Sequence, residues 1–363
     1  MMPIQGCDFV ANCLKKKHPF LGCMRPDSLE TEWYLLEELT EENAEQAVQE
    51  DQEIFVVQPF DPTESTRYFH LNAMIEHVDL ESARSLEDEV GAEYPISAKQ
   101  RLAFTSMIRA VLPALKTKDL RKLVLSLRLP LSSSKGAALR VERLFTRQKK
   151  TSFRHIFSIF EDEIWLGETP EPLLRRSVNR IQTVALAGTR RKSELKHSAF
   201  SEKEIEEQGV IVEELKQRIA PMVTQIQVSD RHEVSAGALV HLKTTLEGTL
   251  QDGVLEEDVL KALHPTAAVC GYPRERALAH IAELEPNQRG LYAGYLGLKS
   301  KDRSDYFVNL RCAQLSKSEF SLYVGAGITA RSIPEDETDE IQSKTAAMMR
   351  LFSFDEVNVP PVT

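Results

Sequence analysis

Glu337, Glu340 and Lys344 stand at positions i, i+3 and i+7 of a helix-forming stretch, so two carboxylates and an ammonium share one face. Such a face is ordinarily just solvated, and helical periodicity by itself supports nothing more. Two features of the surrounding sequence add weight. The stretch follows Gly325-Ala326-Gly327, read as a turn whose exposed N–H groups suit an anion, and an earlier helix carries Glu204, Glu206 and Glu207. Carboxylates from separate helices can meet around a hard cation. Magnesium keeps several of its waters, so two or three glutamates and a ligand carboxylate suffice for it.

Other polar residues sit where burial would be costly. Arg311 lies in an apolar strand with Val308, Leu310, Cys312 and Ala313, either salt-bridged within the core or clamping a ligand carboxylate in bidentate fashion. Lys122 is either a strand residue facing solvent or a buried amine acting as a base. Gly188-Thr189 offers a turn with a backbone N–H and a hydroxyl, ahead of the basic run Arg190-Arg191-Lys192, which on its own reads as a solvated loop. His241, in Leu239-Val240-His241-Leu242, is by the ordinary reading a hydrogen-bonded core histidine.

These residues depend on elements that the sequence pattern outlines. Apolar residues recur at helical spacing from Ala98 to Leu115, with Lys116 to Asp119 closing that segment and a strand over Leu120 to Leu129 following. Ser201 and Glu204 form a capping box that opens a helix. Tyr306 to Leu315 and Phe320 to Val324 read as a hairpin, and Glu335 to Leu351 as the final helix. The acidic stretch 28–53 reads as a solvated helix face, and Ile54-Phe55-Val56-Val57 as a buried strand. Strands and helices alternate without the rhythm of a doubly wound parallel sheet, so the expected class is α+β with extended antiparallel sheets. No internal repeat or low-complexity linker divides the chain.

Composition narrows the partners. Of 363 residues 42% are hydrophobic, which is enough for a substantial core. With 45 basic against 55 acidic side chains the formal charge is -10, which argues against binding a nucleic acid backbone. Five cysteines, Cys7, Cys13, Cys23, Cys270 and Cys312, form no Cys-x-x-Cys pair, which fits a reduced compartment better than zinc. Near the start the lysines follow the apolar stretch, the reverse of a secretory signal, and no apolar run has membrane-span length. The expectation is a cytoplasmic protein, monomeric and with no membrane contact.

Taken together, the residues resemble the chorismate-binding enzyme family, which includes isochorismate, salicylate, anthranilate and aminodeoxychorismate synthases. The resemblance runs from about residue 95 to 352 and rests on Leu186-Ala187-Gly188-Thr189-Arg190-Arg191, the stretch from Leu263 to Gly271, Leu284-Glu285-Pro286 with Arg289 to Gly294, Leu310-Arg311-Cys312-Ala313, and Gly325-Ala326-Gly327-Ile328 ahead of Glu337, Glu340 and Lys344. It implies an anthranilate synthase component I-like fold, two large antiparallel sheets packed together with flanking helices. Residues 1–95 would be a variable N-terminal part, 96–352 the catalytic region and 353–363 a tail. It also implies Mg2+ held by Glu207 and Glu340, with Glu337 a direct or water-mediated ligand. Gly188, Thr189, Arg311, Gly325, Gly327 and Lys344 would bind the carboxylates of chorismate, and His241, Ala268, Val269, Tyr292 and Leu310 would line the ring.

Within the family, the segment Lys122-Leu123-Val124-Leu125-Ser126 is similar to the strand whose lysine activates water in isochorismate and salicylate synthases; anthranilate synthases generally carry glutamine there. Ala187 stands where aminodeoxychorismate synthases have a nucleophilic lysine. Thr169-Pro170-Glu171 matches the turn that bears the general acid. The resemblance therefore implies an isochorismate synthase with Lys122 as base and Glu171 as acid, facing each other across one pocket, and no glutamine amidotransferase subunit. The segment Phe55 to Phe60 is similar to menaquinone-pathway members; siderophore and salicylate routes are the alternatives. Departures from the pattern are Leu127 in place of an arginine, with Arg128 one residue on and a possible local bulge, Pro172 after Glu171, and Gln208 after Glu207.

Overall fold

A computed structural model of the chain describes residues 6–28, 30–73, 96–132, 144–145, 152–191, 200–236, 239–316 and 319–352. The strands are β1 (Phe20–Met24), β2 (Glu32–Leu39), β3 (Ile54–Gln58), β4 (Arg67–Ala73), β5 (Lys122–Ser132), β6 (Phe153–Phe160), β7 (Glu163–Thr169), β8 (Pro172–Ser177), β9 (Arg180–Arg191), β10 (Val223–Val228), β11 (His232–Ala236), β12 (Leu239–Leu250), β13 (Gly271–Tyr272), β14 (Tyr295–Lys299), β15 (Arg303–Val308), β16 (Cys312–Ser316) and β17 (Glu319–Ile328). The helices are α1 (Gly6–Lys16), α2 (Glu41–Gln49), α3 (Ala98–Lys116), α4 (Glu202–Ile219), α5 (Glu256–Leu263), α6 (Arg274–Leu284) and α7 (Pro334–Leu351). The expected tail, 353–363, and Lys192 of the basic run lie outside the described residues.

All the pairings are antiparallel, and they trace one ladder: β13-β5-β17-β16-β7-β6-β1-β2-β4-β3-β14-β15-β8-β9-β12, with β10 and β11 both on β12. The ladder doubles back on itself. Phe157 of β6 meets Phe55 of β3 at 5.4 Å between ring centres, and Phe153 of β6 stacks on Phe307 of β15 at 4.8 Å, although several strands separate them along the ladder. These contacts hold its two halves face to face, the α+β arrangement of two packed antiparallel layers. β1 to β4 belong to the same ladder, through β1 on β6 and β3 on β14.

Local rules account for the helices that matter most. Ser97 with Gln100 and Ser201 with Glu204 close reciprocal capping boxes on α3 and α4. α3 buries Phe104, Met107, Ile108, Val111 and Leu115 along one stripe. α4 packs on β9 and β12, and α7 packs on β17 and α3.

The acidic stretch 28–53 is not one helix face. Glu32–Leu39 is extended between β1 and β4, with Glu32 taken by Arg25 and Glu38 by Arg67, and only Glu41–Gln49 is helical. Gly325-Ala326-Gly327 is not a turn: it lies within β17, opposite Ser126, Leu125 and Val124 of β5. The expected strand from Tyr306 to Leu315 breaks at residues 309–311, where Asn309 N donates to Gly294 O and Leu310 N to Val308 O. Arg311 therefore stands in a bend with φ 47°, outside any strand. No bulge accompanies Leu127, because β5 and β17 stay in register from Ser132 to Leu123, and Arg128 reaches outward to Glu319.

A buried ion pair braces β5. Glu285 accepts from Ser126 N at 2.7 Å and from its Oγ at 3.0 Å, while Arg289 pairs with Glu285 at 2.6 Å and donates to Val124 O and Val269 O. Both side chains are almost inaccessible, so removing one leaves a buried charge and bare carbonyls. Arg289→Met is expected to cost about 3–5 kcal/mol, measured by urea unfolding; a loss below about 1 kcal/mol would show that the brace is dispensable.

Candidate active site

Glu171 leaves β7 through a turn that its neighbours hold tightly. Thr169 Oγ1 donates to Val308 O at 2.6 Å and accepts from Glu171 N at 3.3 Å, and Val308 N donates to Glu171 O at 3.0 Å. The carboxyl is buried. Burial pushes its pKa up from 4.5 to about 7, against the opposing pull of Lys122, Arg311 and Lys344. Cations from β5, from the bend before β16 and from α7 thus all lie within electrostatic reach of one carboxyl. A protonated acid is thus available near neutrality.

Lys122 opens β5 and is 1% exposed, which removes the solvent-facing alternative. Its amine sits 3.1 Å from Glu207 Oε1 of α4, not on Glu171. Gly327 makes that approach possible, since a Cβ there would fall 2.4 Å from Glu207 Oε1 and 3.1 Å from Lys122 Cε. Gly325 has a similar duty, for its Cβ would fall 2.8 Å from the Tyr292 hydroxyl oxygen. The two glycines thus serve close approach to a strand, where the sequence had suggested exposed N–H groups of a turn. Tyr292 stacks on Tyr323 at 5.2 Å.

Lys344 bridges to Glu340 at 2.7 Å and donates to Gly325 O at 2.8 Å, which joins α7 to β17. Glu340 remains 41% exposed. Glu337, one turn earlier on α7, is buried, which is not the solvated position of an idle charged face. Arg311 is partly exposed and makes no ion pair among the described residues; burial lowers its pKa while Glu168 and Glu171 raise it.

Gly188 is a bulge, not a turn. Thr189 pairs with His241 and Ala187 with Leu242, so Gly188 is the extra residue and takes φ 66°, a conformation cheap only for glycine. A backbone hydrogen bond at Gly188 favours the charged form of His241, but weakly. Its pKa falls to about 4 through burial first, then Arg311 and Lys344, so it is neutral at pH 7. Ala268 and Val269 lie between α5 and β13, with the Val269 carbonyl held by Arg289, and Leu310 directly precedes Arg311. Gln208, beside Glu207, is buried between Thr244 and Arg231.

Lys122, Glu171, Glu207, Gly188, His241, Tyr292, Arg311, Gly325, Gly327 and Lys344 are therefore linked by contact or by electrostatic reach. Sequence reasoning overlooked Glu285 and Arg289 as a brace, although both stood in a quoted motif at i, i+4. It also overlooked Glu168 beside Arg311, for which no sequence signal existed.

Among the described residues no three acidic, histidine or cysteine side chains gather closely enough to hold a metal unaided. Glu207 and Glu340 each face a lysine instead. The donor set still fits magnesium, because carboxylate oxygens are hard ligands and one or two suffice when waters and a substrate carboxylate complete the shell.

A buried carboxyl whose pKa is pushed up to about 7, within electrostatic reach of Lys122, Arg311 and Lys344 on a packed antiparallel fold, marks the candidate active site. Residues 44–353 match the family described as chorismate binding enzyme, and the chain belongs to it. Isochorismate synthase MenF of Haemophilus influenzae is 32% identical over 215 residues, 57% of this chain and 50% of that protein. The vibriobactin-specific isochorismate synthase of Vibrio cholerae is 27% identical over 82% of this chain and 78% of its own length. The match thus spans about half the length of the first relative. A crystal structure of a putative 2,3-dihydroxybenzoate-specific isochorismate synthase from Bacillus anthracis superposes with TM-score 0.77 at 23% identity, over 94% of this chain and 99% of that one, and shows the fold to be shared. No helix among the described residues is long and apolar enough to cross a membrane.

Proposed function

We propose that this chain is a magnesium-dependent isochorismate synthase, adding water to C2 of chorismate and expelling the C4 hydroxyl. The observation that carries the reading is the buried Lys122 amine in one site with Glu171, where an ammonia-using relative generally has glutamine. Arg311, Lys344 and the backbone around Gly188, Thr189, Gly325 and Gly327 hold the two substrate carboxylates. His241, Ala268, Val269, Tyr292 and Leu310 line the ring. Lys122 accepts a proton from the attacking water, and Glu171 delivers one to the C4 oxygen, which leaves as water while the ring double bonds shift. One water enters and one departs, so the net reaction is an isomerisation.

Glu207 and Glu340, supported by Glu337, would hold magnesium, whose charge neutralises and orients the ring carboxylate when bound. Water as nucleophile removes the need for an ammonia-supplying amidotransferase subunit. Incubation with chorismate, magnesium and ammonium salts should yield isochorismate, and chelation should abolish turnover until magnesium is restored. Anthranilate as product, or salicylate with pyruvate, would overturn the assignment, and full activity in chelated protein would remove the metal role.

The Glu171 pKa of about 7 has a kinetic signature. The slope of log kcat/KM against pH should become more negative by about one unit on crossing pH 7, since the acid must be protonated to act and kcat/KM reports the free enzyme. A profile without a break between pH 6 and 8 would contradict this.

A further inference from the structure

Glu168 is a buried carboxylate that the mechanism above does not use. It is the next-to-last residue of β7 and lies opposite Arg154 of β6, with both side chains almost inaccessible. The pair is loose, 3.7 Å at its closest, and Glu168 Oε2 accepts no hydrogen bond. A buried carboxylate oxygen without a donor is costly, so its presence calls for a reason. The other side of β7 supplies one. Gly167 stands opposite Cys312, so Glu168 runs beside Arg311, and Glu168 N donates to Arg311 O at 3.2 Å. That bond falls on a residue held at φ 47°, where a non-glycine backbone persists only if its surroundings hold it.

We propose that Glu168 is a positioning residue for Arg311: its backbone N–H holds the bend, and its carboxylate is the counter-charge that keeps the guanidinium aimed into the substrate site. The inference rests on the reading of Arg311 as a substrate-carboxylate ligand. Glu168 and Glu171 both favour the charged form of this arginine, against the burial that lowers its pKa. Only Glu171 has to be protonated in the reaction. A guanidinium drawn wholly to Glu171 would hold that acid ionised and would be unavailable to substrate. A second carboxylate that takes no part in the reaction, only loosely paired with Arg154, offsets that pull.

The test uses the full chain with magnesium and the variants Glu168→Gln, Glu168→Asp and the neutral pair Arg154→Met with Glu168→Gln. Glu168→Gln should raise the chorismate KM about tenfold and change kcat less than about threefold, because the loss is of binding geometry. Glu168→Asp should recover most of that affinity. The neutral pair separates the explanations: if Glu168 serves only Arg154, removing both charges restores the original KM, whereas a positioning role leaves KM raised. The Arg311 Nε–Hε resonance, assigned by its loss in Arg311→Lys, gives a readout that needs no substrate. It should be a single sharp signal in the unaltered protein, broadened or shifted in Glu168→Gln and in the neutral pair. An unchanged signal, or an original KM in the neutral pair, overturns the proposal. If the unaltered protein fails to turn over chorismate, the proposed function falls, and the resonance still decides whether Glu168 positions Arg311.

Discussion

Glu171→Gln is expected to lower kcat by about a hundredfold or more while leaving the chorismate KM within about threefold. The amide keeps the shape of the carboxyl but cannot give up a proton, and the allylic hydroxyl leaves poorly without one. Substrate carboxylates contact Arg311 and Lys344 in this scheme, so ground-state binding should survive. The substitution also tests the electrostatics. Burial is the main cause of the raised pKa, so a neutral side chain of the same volume should not destabilise the fold, and the break near pH 7 should vanish from the kcat/KM profile. A variant that keeps more than about a tenth of normal turnover would shift the role of acid to another group.

Lys122→Met should be at least as damaging, with kcat down about 10²–10⁴-fold. The amine is buried at the start of β5, against Glu207 and over Gly327, so no water-borne base can readily take its place. Methionine fills comparable space, and Glu207 keeps some access to solvent, so the variant should remain folded; a thermal melt and the far-UV spectrum check this. Near-normal turnover in a folded Lys122→Met protein would end the assignment of water activation to this residue. Because each side chain acts on bonds that change in the transition state, the double variant should be little worse than the poorer single one.

The sequence on its own determined those features whose physics is local, together with the family. The stripe of Phe104, Met107, Ile108, Val111 and Leu115, the capping box of Ser201 with Glu204, and the apolar run 54–57 became helix, helix and strand as expected, because periodicity and capping are settled within a few residues. Lys122 and Glu171 were legible as candidates for base and acid through the motifs that resemble the family's. Tertiary structure alone decided whether Lys122 faced solvent or the interior, and which carboxylate it met. Gly325 to Gly327 looked like a turn because glycines usually mark one; a long pairing with β5 and the bulk of Glu207 and Tyr292 made it a strand. Arg311 looked like a strand residue by its neighbours, but a local bond from Leu310 N to Val308 O, together with bonds to the distant Gly294 and from Glu168, bends the chain there. The raised pKa of Glu171 belongs wholly to the assembled protein, since it arises from burial opposed by cations that β5, the bend before β16 and α7 bring together from far apart in the chain.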